Sequence, residues 1–261
     1  MNKFTAITTE IDARGVVHLT LNRPDKKNAL SAQMIAELTE FAGSIAKEPA
    51  ARVVVLRGAG DVFCAGGDLD WMKVQINADR AGRMAEARKL AQMLQSLNEL
   101  PLPLIGVVQG GAFGGGVGMA CVCDVVIAET DTKFGLTETR LGLIPATISP
   151  YVIARMGEGK ARRVFMSARI FAAPEARELD LIADCVPAKQ LDARVEAEVT
   201  PYLKVAPGAV TASKALARAL GPKINDAVIE DTIKRLADTW EGIEAKAGIE
   251  AFLNKTKPPW A

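Results

Sequence analysis

Apolar residues recur along the chain in two rhythms. Residues 5–12 and 16–21 alternate between apolar and polar, with the turn Asp12-Ala-Arg-Gly15 between them, which predicts a β-hairpin. After Ser31, a natural N-cap, Met34, Ile35, Leu38, Phe41, Ala42 and Ile45 repeat at helical spacing up to Lys47. Residues 52–57 form a short apolar strand, followed by the loop sequence GAGDVFCAGGDLDW. Met84, Ala87, Ala91, Leu94 and Leu97 mark one face of an amphipathic helix over 80–100, which Pro101 ends. A strand at 104–108, a second glycine loop, a helix running through Cys121 and a strand at 124–128 come next. A β-α-β-α-β succession of this kind favours a parallel sheet. Beyond about Ala188 the strand rhythm stops, and 209–219, 225–239 and 241–253 all carry helical patterns. The pattern therefore predicts an α/β body over 1–190 and a helical region over 191–261.

Composition narrows the chemistry. The net charge of +1 lacks the field of a general nucleic-acid binder, so no nucleic-acid partner is expected. There is one histidine, His18, in the middle of a strand pattern. A zinc site with two or three histidines is impossible, and acid–base work must fall on carboxylates, lysine or tyrosine. Cys64, Cys121, Cys123 and Cys185 form no C-x-x-C pair, as expected of reduced thiols in a cytoplasmic protein with no metal or redox cofactor. The N-terminus has no basic stretch followed by an apolar one, so no secretory signal is expected. Residues 101–123 are long and apolar enough to span a bilayer, but seven of them are glycine. Strand, glycine loop and short buried helix is the better parsing, with no membrane partner.

Glycines cluster in two loops, Cys64-Ala-Gly-Gly-Asp68 and Gly110-Gly-Ala-Phe-Gly-Gly-Gly116, each between a strand and a helix. In a parallel sheet both emerge at the carboxyl edge, and each offers free N–H groups at a helix start. Two such loops can present two donors to one oxygen, as in the stabilisation of an oxyanion. Neither matches G-x-x-x-x-G-K-[ST], and no G-x-G-x-x-G is followed by an acidic residue at the right distance, so a phosphate cradle fits poorly.

Five blocks in order carry a family resemblance: Leu21-Asn-Arg-Pro24 with Asn28-Ala-Leu30; Phe63-Cys-Ala-Gly-Gly-Asp-Leu69; Gly110 to Gly118; Cys123-Asp124; and Phe134-Gly-Leu-Thr-Glu-Thr-Arg-Leu-Gly-Leu-Ile-Pro145. With the tail Phe252-Leu-Asn-Lys-Thr-Lys-Pro-Pro-Trp260, the sequence resembles the crotonase, or enoyl-CoA hydratase/isomerase, superfamily over nearly its whole length. The resemblance implies a spiral of β-β-α units, a helical C-terminal trimerisation region, and a homotrimer or dimer of trimers. It implies an acyl-CoA thioester as substrate, with coenzyme A entering as part of that substrate and no separate cofactor. The thioester oxygen would sit between the amides of Gly67 and Gly115. CoA and the acyl group would be held near Lys26, Ala29 and Leu30, near Ala65, Gly66, Asp68 and Leu69, and by Gly114, Pro145 and the C-terminal Lys257.

One departure matters. Many hydratases of this family use two glutamates, one three residues past the second oxyanion glycine and one in the Phe-Gly-x-x-Glu block. The second is Glu138; the first position is Gly118. Three chemistries remain open: hydration of a 2-enoyl-CoA by Glu138, double-bond isomerisation by a single glutamate, or acyl-CoA binding without turnover. Gly118 together with Ile144-Pro-Ala-Thr-Ile-Ser-Pro-Tyr-Val152 resembles the methylglutaconyl-CoA hydratases of leucine and isovalerate breakdown. This implies a branched, carboxylated enoyl-CoA, with Arg140 as a partner for its carboxylate. Asp68 also fits as a helix cap, Asp124 as a local backbone acceptor, and Trp71 and Met72 as core or acyl-tunnel wall.

Overall fold

The computed structural model describes residues 4–261. The hairpin forms as expected: β1 (Ile7–Ile11) and β2 (Val16–Leu21) pair antiparallel, with Thr9 opposite Leu19. From β2 onward the sheet is parallel, through β3 (Val53–Gly58), β4 (Leu104–Val108), β6 (Val125–Glu129) and β9 (Asp184–Val186), in the order β1-β2-β3-β4-β6-β9. A second sheet holds β5 (Gly111–Phe113), β7 (Lys133–Gly135) and β8 (Ile170–Ala172). Its strands have three residues each, too short to leave an alternating pattern, so the sequence did not announce them.

Both faces of the large sheet are buried, which explains the unbroken apolar runs of its central strands. Leu19, Leu21, Val54, Leu56, Leu104 and Val126 face the main core with α1 (Ala32–Ile45), α3 (Arg80–Asn98) and α4 (Gly115–Val122). Val53, Val55, Ile105, Val107 and Ile127 face the other way, against Leu191, Val195 and Val199 of α7 (Leu191–Tyr202). The helical region beyond residue 190 thus completes the second face of the sheet. His18 points to this outer face and stays exposed, 3.9 Å from Asp12.

Residues 101–123 resolve into β4, β5 and α4, packed inside the protein. Among the described residues no helix is long and apolar enough to cross a membrane. The first loop ends in α2 (Leu69–Asn77). The chain also forms α5 (Ser149–Phe165) and α6 (Ala173–Glu178), neither of which the periodicity marked, before α7, α8 (Pro207–Leu220), α9 (Asp226–Trp240) and α10 (Ile243–Leu253). Helix α9 lies on α3, with Ile229 and Ile233 against Ala87 and Ala91.

Two polar anchors set the ends of the hairpin–helix unit. Ser31 accepts from the Met34 amide and caps α1. Glu37, on the buried side of α1, accepts from the amides of Thr5, Ala6 and Ile7 at 3.1, 2.8 and 3.0 Å and from Gln33 at 2.9 Å. Burial pushes its carboxyl up, but these donors outweigh burial and hold it below the usual carboxylate range. A depressed value means stability that is present above about pH 4.5 and is lost as pH falls through the folded value. Glu37→Gln should cost about 1–3 kcal/mol at pH 7, and less below about pH 4. Denaturant melts at both pH values check this; an equal cost at both would refute the ionic role.

Candidate functional site

The Asn-Arg-Pro segment and the two glycine loops form one backbone assembly. Pro24 starts a 3-10 turn, after which Lys27 and Asn28 take left-handed φ values of 49° and 53°. Asn28 tolerates that conformation, and its buried side chain makes use of it. Its Nδ2 donates to the carbonyls of Ala59 and Val62, both at 2.8 Å, and its Oδ1 accepts from the Arg23 amide at 2.9 Å. The segment then runs parallel to the first loop: the Leu30 amide donates to Gly66 at 2.8 Å and the Asp68 amide to Leu30 at 3.1 Å. The first loop is tied in turn to β5, since the Cys64 amide donates to Gly111 and the Phe113 amide to Cys64.

Glycine is required where these backbones meet. A Cβ on Gly116 would stand 2.7 Å from the Cys64 carbonyl oxygen. Gly114 has φ +49°, and a Cβ there would lie 3.0 Å from Glu138 Oε1. The close approach brings the starts of α2 and α4 to one cavity. Gly115 is the first residue of α4, and Gly67 directly precedes Asp68, the N-cap of α2. Among the described residues neither amide donates within the chain. Gly115 lies at a helix start and Gly67 just before one, and the two free amides are suited to an oxyanion.

The cavity measures about 350 Å³ and is mainly apolar. Leu30, Ala65, Gly66, Gly67, Gly114, Gly115, Glu138, Arg140 and Pro145 all line it, as do Trp71 and Met72. Lys26, Ala29, Asp68, Leu69 and Lys257 do not. Asp68 is engaged elsewhere: it accepts from the Asp70 and Trp71 amides and pairs with Arg23 at 2.8 Å. Burial pushes its carboxyl up, yet Arg23 and those amides hold it below the usual range. Arg23 also donates to the Ala29 carbonyl at 2.7 Å. The role of Asp68 in the fold is thus to cap α2 and clamp the Asn-Arg-Pro segment against the first loop.

Glu138 opens a 3-10 turn, Glu138–Leu141, shortly after β7. Its Oε2 is buried without a hydrogen-bond partner, and burial pushes its carboxyl up to about 7. Such a group can both take and give a proton near neutrality. Cys64 shows the contrasting case: full burial raises its thiol to about 12 and disfavours the thiolate. Among the described residues no group of three or more histidine, cysteine, aspartate or glutamate side chains could hold a metal ion.

The structure shows what fills the place of the second glutamate. A Cβ on Gly118 would lie 2.3 Å from Ile148 Cγ2, 2.9 Å from Ile148 Cβ and 3.7 Å from Leu94 Cδ2. The slot is packed with hydrocarbon, and any side chain at 118 would require Ile148 to shift. The sequence signalled that the 144–152 stretch reshapes the wall, but not this pairing. It also missed Leu236, Trp240 and Phe252, three C-terminal residues that line the cavity.

The sequence profile of the enoyl-CoA hydratase/isomerase family matches residues 12–261. Solved structures resemble the chain over its whole length. An enoyl-CoA hydratase from Shewanella pealeana is 34% identical and superposes with a TM-score of 0.81, covering 99% of this chain and 97% of that one. AtuE of Pseudomonas aeruginosa is 37% identical with a TM-score of 0.80, over 98% of this chain and 100% of that one. An enoyl-CoA hydratase from Mycobacterium avium is 30% identical with a TM-score of 0.85, over 98% and 99%.

The packed slot makes a direct prediction. Gly118→Ala should cost about 1–3 kcal/mol through overpacking against Ile148. Adding Ile148→Ala should recover part of that loss, giving a non-zero coupling in a double-mutant cycle of thermal or denaturant melts. Strict additivity would show that the two positions do not compete for the same space.

Proposed function

We propose that this chain, which belongs to the enoyl-CoA hydratase/isomerase family, adds water reversibly to the double bond of a 2-enoyl-CoA with Glu138 as its single acid–base group. The observation that carries this is a carboxyl with an unpartnered buried oxygen, facing the same cavity as two free amides at helix starts. The thioester oxygen takes hydrogen bonds from the Gly67 and Gly115 amides. Ionised Glu138 removes a proton from water as the water oxygen bonds to the β-carbon, and the π electrons move onto the thioester as an enolate. Glu138 then hands the proton it has taken to the α-carbon, and the enolate collapses to the 3-hydroxyacyl thioester. Each proton and electron pair is thereby accounted for without a second acid.

A second reading has its own support. Hydrocarbon fills the slot where a second glutamate would act, and a double-bond shift needs only one group to take a proton from one carbon and return it to another. Reaction in ¹⁸O water separates the two: hydration places label in the product, and isomerisation does not. In either case Glu138→Gln should lower kcat by about 10²–10⁴. For hydration the ionised form is the active one, so kcat/KM should fall as pH drops below about 7. An unchanged Glu138→Gln enzyme refutes the assignment.

We further propose a branched, carboxylated acyl group of the 3-methylglutaconyl type. Apart from Glu138, Arg140 is the one charged residue lining the cavity. No ion pair within the chain occupies it among the described residues, and a substrate carboxylate can reach it at the exposed rim. Crotonyl-, 3-methylcrotonyl- and 3-methylglutaconyl-CoA compared side by side provide the test. Arg140→Ala should lower kcat/KM for the carboxylated ester by about tenfold or more relative to crotonyl-CoA. An equal loss on all three would rule out the carboxylate contact.

A further inference from the structure

Two tryptophans, Trp71 on α2 and Trp240 at the end of α9, line the cavity, and both are held by one stripe on α3. Arg80, Arg83 and Glu86 are spaced three apart, so they share a face of the helix. Arg80 pairs with Asp238 and with Glu241, both at 2.6 Å, on either side of Trp240 in the chain. The Arg83 guanidinium lies over the Trp240 ring, 5.3 Å from its centroid. The same guanidinium donates to the carbonyls of Gln75 and Ile76 at the end of α2, at 2.8 and 2.9 Å. Glu86 Oε2 accepts from the Trp71 indole N–H at 3.2 Å, while its Oε1 takes Lys89 at 2.6 Å. Asp79 caps the helix by accepting from the Gly82 amide at 2.7 Å, which fixes the start of the stripe.

Three charged residues on one helix face thus lock two apolar rings that belong to different parts of the chain. Surface ion pairs of this kind contribute little to stability individually. Their shared geometry is better explained by what they orient than by what they stabilise. We infer that Arg83 and Glu86, supported by Arg80, are positioning residues that set the length of acyl group this cavity accepts, by fixing the two indoles that form its wall. The inference rests on the acyl-CoA reading above. It adds that selectivity resides in the rigidity of the wall and is controlled from outside the cavity.

Saturated esters test this without requiring turnover. Butyryl-CoA and decanoyl-CoA are titrated calorimetrically into the wild type and into Glu86→Leu, Arg83→Leu, Glu86→Gln and Trp71→Phe. Freeing an indole should let the wall yield to the longer chain. The ratio of the two Kd values should then move in favour of decanoyl-CoA by about fivefold or more in both leucine variants. Glu86→Gln keeps an oxygen acceptor for the indole N–H and should stay within about twofold of the wild type. Trp71→Phe keeps an aromatic ring, loses the donor, and should shift the ratio as Glu86→Leu does. It carries the test if a leucine variant does not fold. The inference is overturned if the ratio is unchanged in the folded variants, or if Glu86→Gln shifts it as far as Glu86→Leu. Binding of neither ester to the wild type would overturn the acyl-CoA reading and this inference together, whereas tight binding with unchanged length preference overturns the inference alone.

Discussion

The site depends on backbone touching backbone. The first glycine loop lies along the Asn-Arg-Pro segment on one side and along β5 on the other, through amide–carbonyl bonds at Leu30, Cys64, Asp68 and Phe113. Contact that close leaves no room for a Cβ at Gly116 and requires the left-handed backbone at Gly114. Its result is that two helices begin at the same cavity, each with a free amide facing it. Asn28 and Asp68, both buried and both fully used, hold the arrangement together from the polar side. The main chain therefore positions the electrostatic part of the site, and the surrounding side chains lock it in place.

Glu138 stands in tension with that frame. A carboxyl oxygen buried without a partner opposes folding once the group ionises, because its charge is poorly solvated. With a native value near 7, stability is fully present below the unfolded value near 4.5 and falls as pH rises towards neutrality. The same desolvation that opposes folding raises the carboxyl to about 7, the property on which the proposed acid–base role rests.

The C-terminal helices have two structural roles. Leu191, Val195 and Val199 cover the outer face of the large sheet, whereas Leu236, Trp240 and Phe252 close the cavity from the other side of the molecule. One continuous packing problem therefore links sheet, cavity and tail, and α3 sits between them. Its apolar face packs against α9, and its polar stripe grips the end of α9 and the end of α2.

Local pattern determined much of this protein. The hairpin, the caps at Ser31 and Asp68, the strand–loop–helix order around both glycine loops and the C-terminal helices follow from periodicity and from residues whose preferences act over a few positions. Gly67, Gly115 and Glu138, singled out through the family resemblance of the short motifs they sit in, line one cavity. The second sheet was not legible, since three-residue strands hold no period. Nor was the filling of the missing acid's place by Ile148, which lies thirty positions from Gly118, or the wall formed by Trp71 and Trp240, far apart in the chain. Those contacts are between residues distant in sequence, and only the packing of finished elements against one another decides which of them meet.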